Sequence, residues 1–146
     1  MRNKLKLINC LLSRDRYLPH YTYSTDLKDL GKVDGIVLLS DSREISKGFS
    51  ANLVITDPPY GSIIQYGELS QVWNVWLSKY DKKYIVSLDK EIIVNKNKGY
   101  EQYIQNMTQV LTNCRKMLNS NGSIILTYNS NKTEDWNALK QAISSA

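Results

Sequence analysis

A chain of 146 residues, 42 % apolar and 23 % charged, is long enough for one domain with a core, and no stretch of it reaches the length of a membrane span or of a signal peptide's apolar centre. Cys10 and Cys114 stand far apart without a C-x-x-C spacing and His20 is the only histidine, so no disulfide framework or zinc site is expected, and the chain reads as cytoplasmic. The net charge of +5 suits a polyanionic partner without requiring one.

Residues 1–34 read as a basic and aromatic N-terminal segment and residues 35–146 as the core. Arg2, Lys4, Lys6, Arg14 and Arg16 alternate with Leu5, Leu7, Ile8, Leu11 and Leu12, the pattern of a short amphipathic helix with a solvated basic face. Pro19 ends it, and Tyr17, Tyr21 and Tyr23 mark an irregular aromatic segment. Gly35-Ile36-Val37-Leu38-Leu39 reads as a buried strand, after which Asp41 is placed to cap a helix at residues 43–47.

Residues 52–60 read N-L-V-I-T-D-P-P-Y. Leu53, Val54 and Ile55 suit a strand buried on both faces. Proline cannot donate to a sheet ladder, so the strand ends by Asp57; Pro58 holds Asp57 extended, and Pro59 does the same to Pro58. The product is a stiff corner with one carboxylate, bare carbonyls and an aromatic ring at a strand end, where open α/β sheets bind ligands. D-P and P-P also make ordinary turns, but the string D-P-P-Y arises by chance in roughly one chain in a thousand of this length.

Beyond it, Leu69, Val72, Trp73 and Trp76 recur at helical spacing over residues 68–77, with Glu68 favouring the N-terminus and both tryptophans reading as core. Residues 79–98 carry Lys79, Lys82, Lys83, Lys90, Lys96 and Lys98 against Asp81, Asp89 and Glu91. That stretch is either a phosphate-contacting loop or a solvated insertion, with Ile92-Ile93-Val94 as a short edge strand or hairpin. Residues 100–118 are the clearest helix, with Tyr103, Ile104, Met107, Val110, Leu111, Cys114, Met117 and Leu118 on one face. Asn119-Ser120-Asn121-Gly122 closes it with a turn, residues 123–128 form another buried strand, and a last helix carries Trp136, Leu139, Ala142 and Ile143 on one face.

Asp57-Pro58-Pro59-Tyr60 resembles the catalytic motif of the class I amino-methyltransferases, which methylate exocyclic amines with S-adenosyl-L-methionine; the aspartate form is typical of adenine-N6 DNA methyltransferases. Gln65-Tyr66-Gly67-Glu68-Leu69-Ser70 and Val75-Trp76-Leu77 are similar to a group of large adenine-specific DNA methylases, in which Asp-Asn usually stands where this chain has Gly61-Ser62. The resemblance covers residues 36–146. It implies an α/β fold with a three-layer, Rossmann-like, mostly parallel sheet, S-adenosyl-L-methionine as cofactor and adenine-containing duplex DNA as partner. It makes Asp57, Pro58, Pro59 and Tyr60 catalytic, Asp41 and Asp57 cofactor contacts, and Tyr60, Tyr66, Lys79, Lys82 and Lys83 nucleic-acid contacts. For Asp41 the likeness is to a Gly-Asp strand ending beside the cofactor adenine, with Ser40 in place of the glycine.

The chemistry accounts for the residue types. An adenine amino group is a poor nucleophile because its lone pair is delocalised into the ring. Asp57 accepting one N–H and the Pro58 carbonyl the other would favour the pyramidal form and aim the nitrogen at the sulfonium methyl, so rate comes from positioning and preorganised dipoles. Tyr60 would stack on a base turned out of the duplex.

The family's cofactor turn is glycine-rich, of the F-x-G-x-G type, whereas none of the seven glycines here stand one residue apart. Three strand-like segments are also too few for the family's sheet. The chain is therefore expected to be part of a methyltransferase, with the missing remainder as a partner. The alternatives are an inactive fragment or partner-dependent subunit that binds nucleic acid or a second subunit, or a methyltransferase acting on RNA guanine-N2 or DNA cytosine-N4.

Overall fold

The computed structural model describes residues 21–146 apart from 39, 46, 47, 49, 83, 84 and 86, so the expected N-terminal helix, Cys10 and Lys83 lie outside the described residues. The chain divides into two units, Met1–Ser40 and Asp41–Ala146. In the first, β1 (Tyr23–Ser24) pairs in parallel with β2 (Gly35–Ile36) across a single 3-10 turn at Leu27–Asp29. The Asp34 carboxylate ties the pair together, accepting from the Thr22 amide at 2.7 Å and its hydroxyl at 2.9 Å. The strand expected at residues 35–39 is thus shorter: Val37 is exposed, Leu39 lies outside the described residues, and no described residue of this unit is buried. A strand buried on both faces needs covering layers, and this unit provides none among its described residues.

A parallel strand pair requires a long crossover, and the second unit builds one. Its elements are β3 (Ala51–Thr56), α1 (Tyr66–Ser78), α2 (Tyr100–Met117), β4 (Leu118–Leu126) and α3 (Thr133–Ser145). β3 and β4 pair in parallel, with Val54 opposite Ile124, Ile55 opposite Ile125 and Thr56 opposite Leu126. The register shifts between Ala51–Leu118 and Leu53–Ser123, so Asn52 alone faces the expected turn Asn119-Ser120-Asn121-Gly122, which survives as a bulge within β4. The α/β class with parallel pairing is as expected; the sheets are short.

The core forms where α2 meets α3. Tyr103, Met107 and Leu111 from α2 pack with Ala138, Leu139 and Ala142 from α3, and Val94 joins them. Large apolar side chains buried in this way contribute about 1.5–3 kcal/mol each. Of the four residues expected on one face of α3, Leu139 and Ala142 are buried, whereas Trp136 and Ile143 are exposed.

Four further expectations are corrected. The strands are not buried on both faces: Leu53 and Ile55 of β3 and Ile124 and Ile125 of β4 are exposed, because the two-stranded pair is not covered on both sides among the described residues. No residue of α1 is buried: Leu69, Val72, Trp73 and Trp76 are all more than half exposed, because their apolar stripe meets no covering layer among the described residues. Ile92-Ile93-Val94 forms no strand. It is a buried strap whose Val94 amide donates to the Gly61 carbonyl at 3.0 Å, so its backbone partner is a turn instead of a sheet edge. Residues 42–45 form a turn where a helix was expected.

Candidate active site

The last ladder contact of β3 runs from the Thr127 amide to the Thr56 carbonyl, 3.0 Å. Beyond it the two prolines stop the pairing, and the Asp57 side chain projects exposed at the strand end. Thr127, just past β4, donates its hydroxyl to Asp57 Oδ1 at 2.8 Å. The Tyr60 hydroxyl donates to Oδ1 at 2.9 Å and to Oδ2 at 3.0 Å. That bond to Asp57 raises the Tyr60 phenol above its ordinary pKa. The Tyr60 ring meets Tyr128 edge-on, centroids 5.5 Å apart, and Tyr128 meets Trp136 in the same way at 5.0 Å.

The two proline carbonyls differ. That of Pro59 accepts from the Tyr103 hydroxyl at 2.9 Å and from the Gly61 amide at 2.9 Å. That of Pro58 accepts no hydrogen bond among the described residues. Tyr103 is fully buried, and burial pushes its phenol far above the ordinary range.

Gly61 turns the chain out of the corner at φ +56°, in the left-handed region open to glycine. Asp135, completely buried in the first turn of α3, holds the next step. It accepts from the Ser62 amide at 3.3 Å, the Tyr100 hydroxyl at 2.9 Å and the Ser130 hydroxyl at 2.8 Å. A methyl group on residue 61 would run into that carboxylate. Strap, α2 and α3 thus all fasten the segment after the prolines.

The structure brings Asp57, Pro58, Pro59 and Tyr60 together. Asp41 is engaged elsewhere: Arg43 Nε lies 2.9 Å from its Oδ1 and Nη2 2.5 Å from its Oδ2, while the Arg43 amide donates to Oδ1 at 3.0 Å. The guanidinium bonds hold the Asp41 carboxyl down at about 2. No hydrogen bond joins Asp41 to the corner among the described residues. Tyr66 and Lys82 are exposed, and the Lys79 ammonium sits 4.8 Å from the centroid of the Trp76 ring. Among the described residues no cluster of metal-ligating side chains occurs, and no helix is long and apolar enough to cross a membrane.

Sequence reasoning missed Thr127, Tyr103 and Asp135 as supports of the corner. Thr127 had a usable signal, standing near the end of the strand expected at residues 123–128, where open α/β sheets bind ligands. Tyr103 reads only as one more core position, and Asp135 as an acid favoured in a first helical turn.

The glycines bear on the expected cofactor. A Cβ at Gly61 would meet Asp135, one at Gly67 would meet Leu88 and Glu91, and one at Gly122 would meet Leu118 and backbone. These serve close packing, and none forms a cradle in which a ligand takes the place of a side chain. The glycine cradle expected for the methyl donor is therefore not supplied by these three glycines.

The family described as DNA methylase matches residues 51–145, from the first residue of β3 to the last of α3. No curated protein and no solved structure matches the chain.

Proposed function

From the premise that this chain belongs to the family of N6/N4 DNA methylases, we propose that it directs methylation to the N6 amino group of adenine in DNA, with Asp57, Pro58, Pro59 and Tyr60 as the catalytic corner. Enzymes of this family normally use S-adenosyl-L-methionine, which supplies an electrophilic methyl group when bound. The chain's own residues hold the acceptor. Asp57 Oδ1 is fixed by Thr127, which leaves Oδ2 to take one amino N–H once the Tyr60 hydroxyl lets go. The Pro58 carbonyl takes the other N–H, and the Tyr60 ring moves from Asp57 to the face of the extruded base. In this reading Tyr66, Lys79, Lys82 and Lys83 contact the DNA, the lysines at its phosphates, and Asp41 meets the cofactor only on exchanging its bonds to Arg43.

The observation that carries the proposal is the division of labour between the carbonyls. Pro59 is taken twice by the protein, while the carbonyl of Pro58, a buried residue next to the exposed Asp57, is bonded to nothing among the described residues. Digestion of methylated DNA to nucleosides tests it: N6-methyldeoxyadenosine supports the reading, and N4-methyldeoxycytidine as the sole methylated product overturns the adenine assignment.

A second reading, a chain that binds DNA and transfers methyl groups only with a partner, is favoured by the exposed apolar stripe of α1 and by the lack of a glycine cradle. DNA binding without transfer by the purified chain selects it over the first.

A further inference from the structure

Next to the corner lies a cleft of about 650 Å³, a volume ordinary for a small-molecule site. Its lining includes Ser62, Gln65, Glu68, Lys96 and Lys132. Ser62 joins it to the corner, since its amide is pinned to Asp135 just beyond Gly61. The Lys132 ammonium donates to the Ser62 hydroxyl at 2.7 Å. Neither Lys96 nor Lys132 forms an ion pair with a carboxylate among the described residues. In the lining itself two ammonium groups stand against the one carboxylate of Glu68, and the buried Asp135 carboxylate behind Ser62 and Tyr100 is already taken by three donors, so the cleft favours an anion over a cationic sulfonium. A second observation is independent of charge. Gln65 Nε2 donates to the Val94 carbonyl at 3.1 Å, while its Oε1 is buried without any partner. A buried acceptor left open is costly unless a ligand supplies a donor.

Anion-seeking ammonium groups and an acceptor seeking an N–H, in one cleft, match the two ends of a nucleotide. We propose that this cleft binds the nucleotide flanking the target base, with its phosphate on Lys96 and Lys132 and its base amino group on Gln65 Oε1. The inference rests on DNA being the substrate. It makes the cleft a reader of the neighbouring base as well as a phosphate anchor.

The test is binding of a fluorescent DNA duplex, with varied bases flanking one adenine, by the full chain and by a Lys96→Gln/Lys132→Gln double variant. Each lost phosphate contact lowers the slope of log affinity against log salt by about 0.9, so the double variant loses about 1.8. The fall in affinity from about 50 to about 200 mM salt then shrinks about twelvefold. An unchanged slope overturns the phosphate assignment. Lys132→Arg should restore its share. Gln65→Met should level the preference among flanking bases without changing the slope; a preference kept intact overturns the base contact. Weakened S-adenosyl-L-methionine binding with an unchanged DNA slope overturns the proposal in favour of the cofactor. Binding that follows this pattern without methyl transfer leaves the cleft assignment standing and removes the enzymatic reading, whereas no DNA binding by the unaltered chain overturns both.

Discussion

Replacing Gly61 by alanine sets two costs against the corner at once. The backbone at φ +56° disfavours a residue with a Cβ by roughly 1–2 kcal/mol, and the added methyl overlaps the buried Asp135 carboxylate, an overpacking that costs about 1–3 kcal/mol. Together Gly61→Ala should lose about 2–5 kcal/mol in urea unfolding. Asp135→Ala removes the acceptor of Ser62, Tyr100 and Ser130, and stranding those donors should cost about 2–4 kcal/mol. Because the second change also removes the two atoms the methyl would overlap, leaving only the Cβ of residue 135 at 3.1 Å, the double variant should lose less than the sum, by about 1–3 kcal/mol. The readout is a double-mutant cycle of unfolding free energies. Additivity within about 0.5 kcal/mol would refute the claim that Asp135 is what forbids a side chain at residue 61.

The same geometry sets other outcomes. Thr127→Val keeps shape but removes the donor to Asp57 Oδ1, so kcat for methyl transfer should fall about tenfold while KM for DNA and unfolding stability hold. Tyr60→Phe keeps the ring and deletes the hydroxyl that competes for Asp57, so DNA should bind at least as tightly as to the unaltered chain, while Tyr60→Ala should weaken it by about 1–3 kcal/mol of stacking. Asp41 has its carboxyl lowered from 3.8 to about 2 by Arg43, so it stabilises the fold fully above about pH 4 and loses that contribution as pH falls toward 2. Asp41→Asn should therefore be less stable near neutrality, by about 1–2 kcal/mol, with the gap closing on acidification, as followed by denaturant unfolding across that range.

How far the sequence could be read depended on whether the deciding contact was local. The strand before Asp57 and the helix over residues 100–117 follow from short-range pattern, since prolines stop a ladder wherever they fall and a three-to-four spacing marks a helical face. The spacing of Leu69, Val72, Trp73 and Trp76 was equally clear and gave the right helix, but periodicity reports an apolar stripe and says nothing of what covers it. Ile92-Ile93-Val94 had the composition of a strand, yet its partner was the turn at Gly61, a pairing that only the tertiary fold creates. The supports of the corner were hidden for the same reason. Tyr103 and Asp135 act through single hydrogen bonds to segments distant in the chain, and neither residue type signals such a bond from its own surroundings.

The central claim is that Asp57 grips the amine that receives the methyl group. Transfer from labelled S-adenosyl-L-methionine to unmethylated DNA, compared between the unaltered chain and Asp57→Ala at equal DNA occupancy, tests it most directly. The expected result is a loss of at least about a hundredfold in transfer with DNA affinity little changed. Transfer by Asp57→Ala at the rate of the unaltered chain would contradict it.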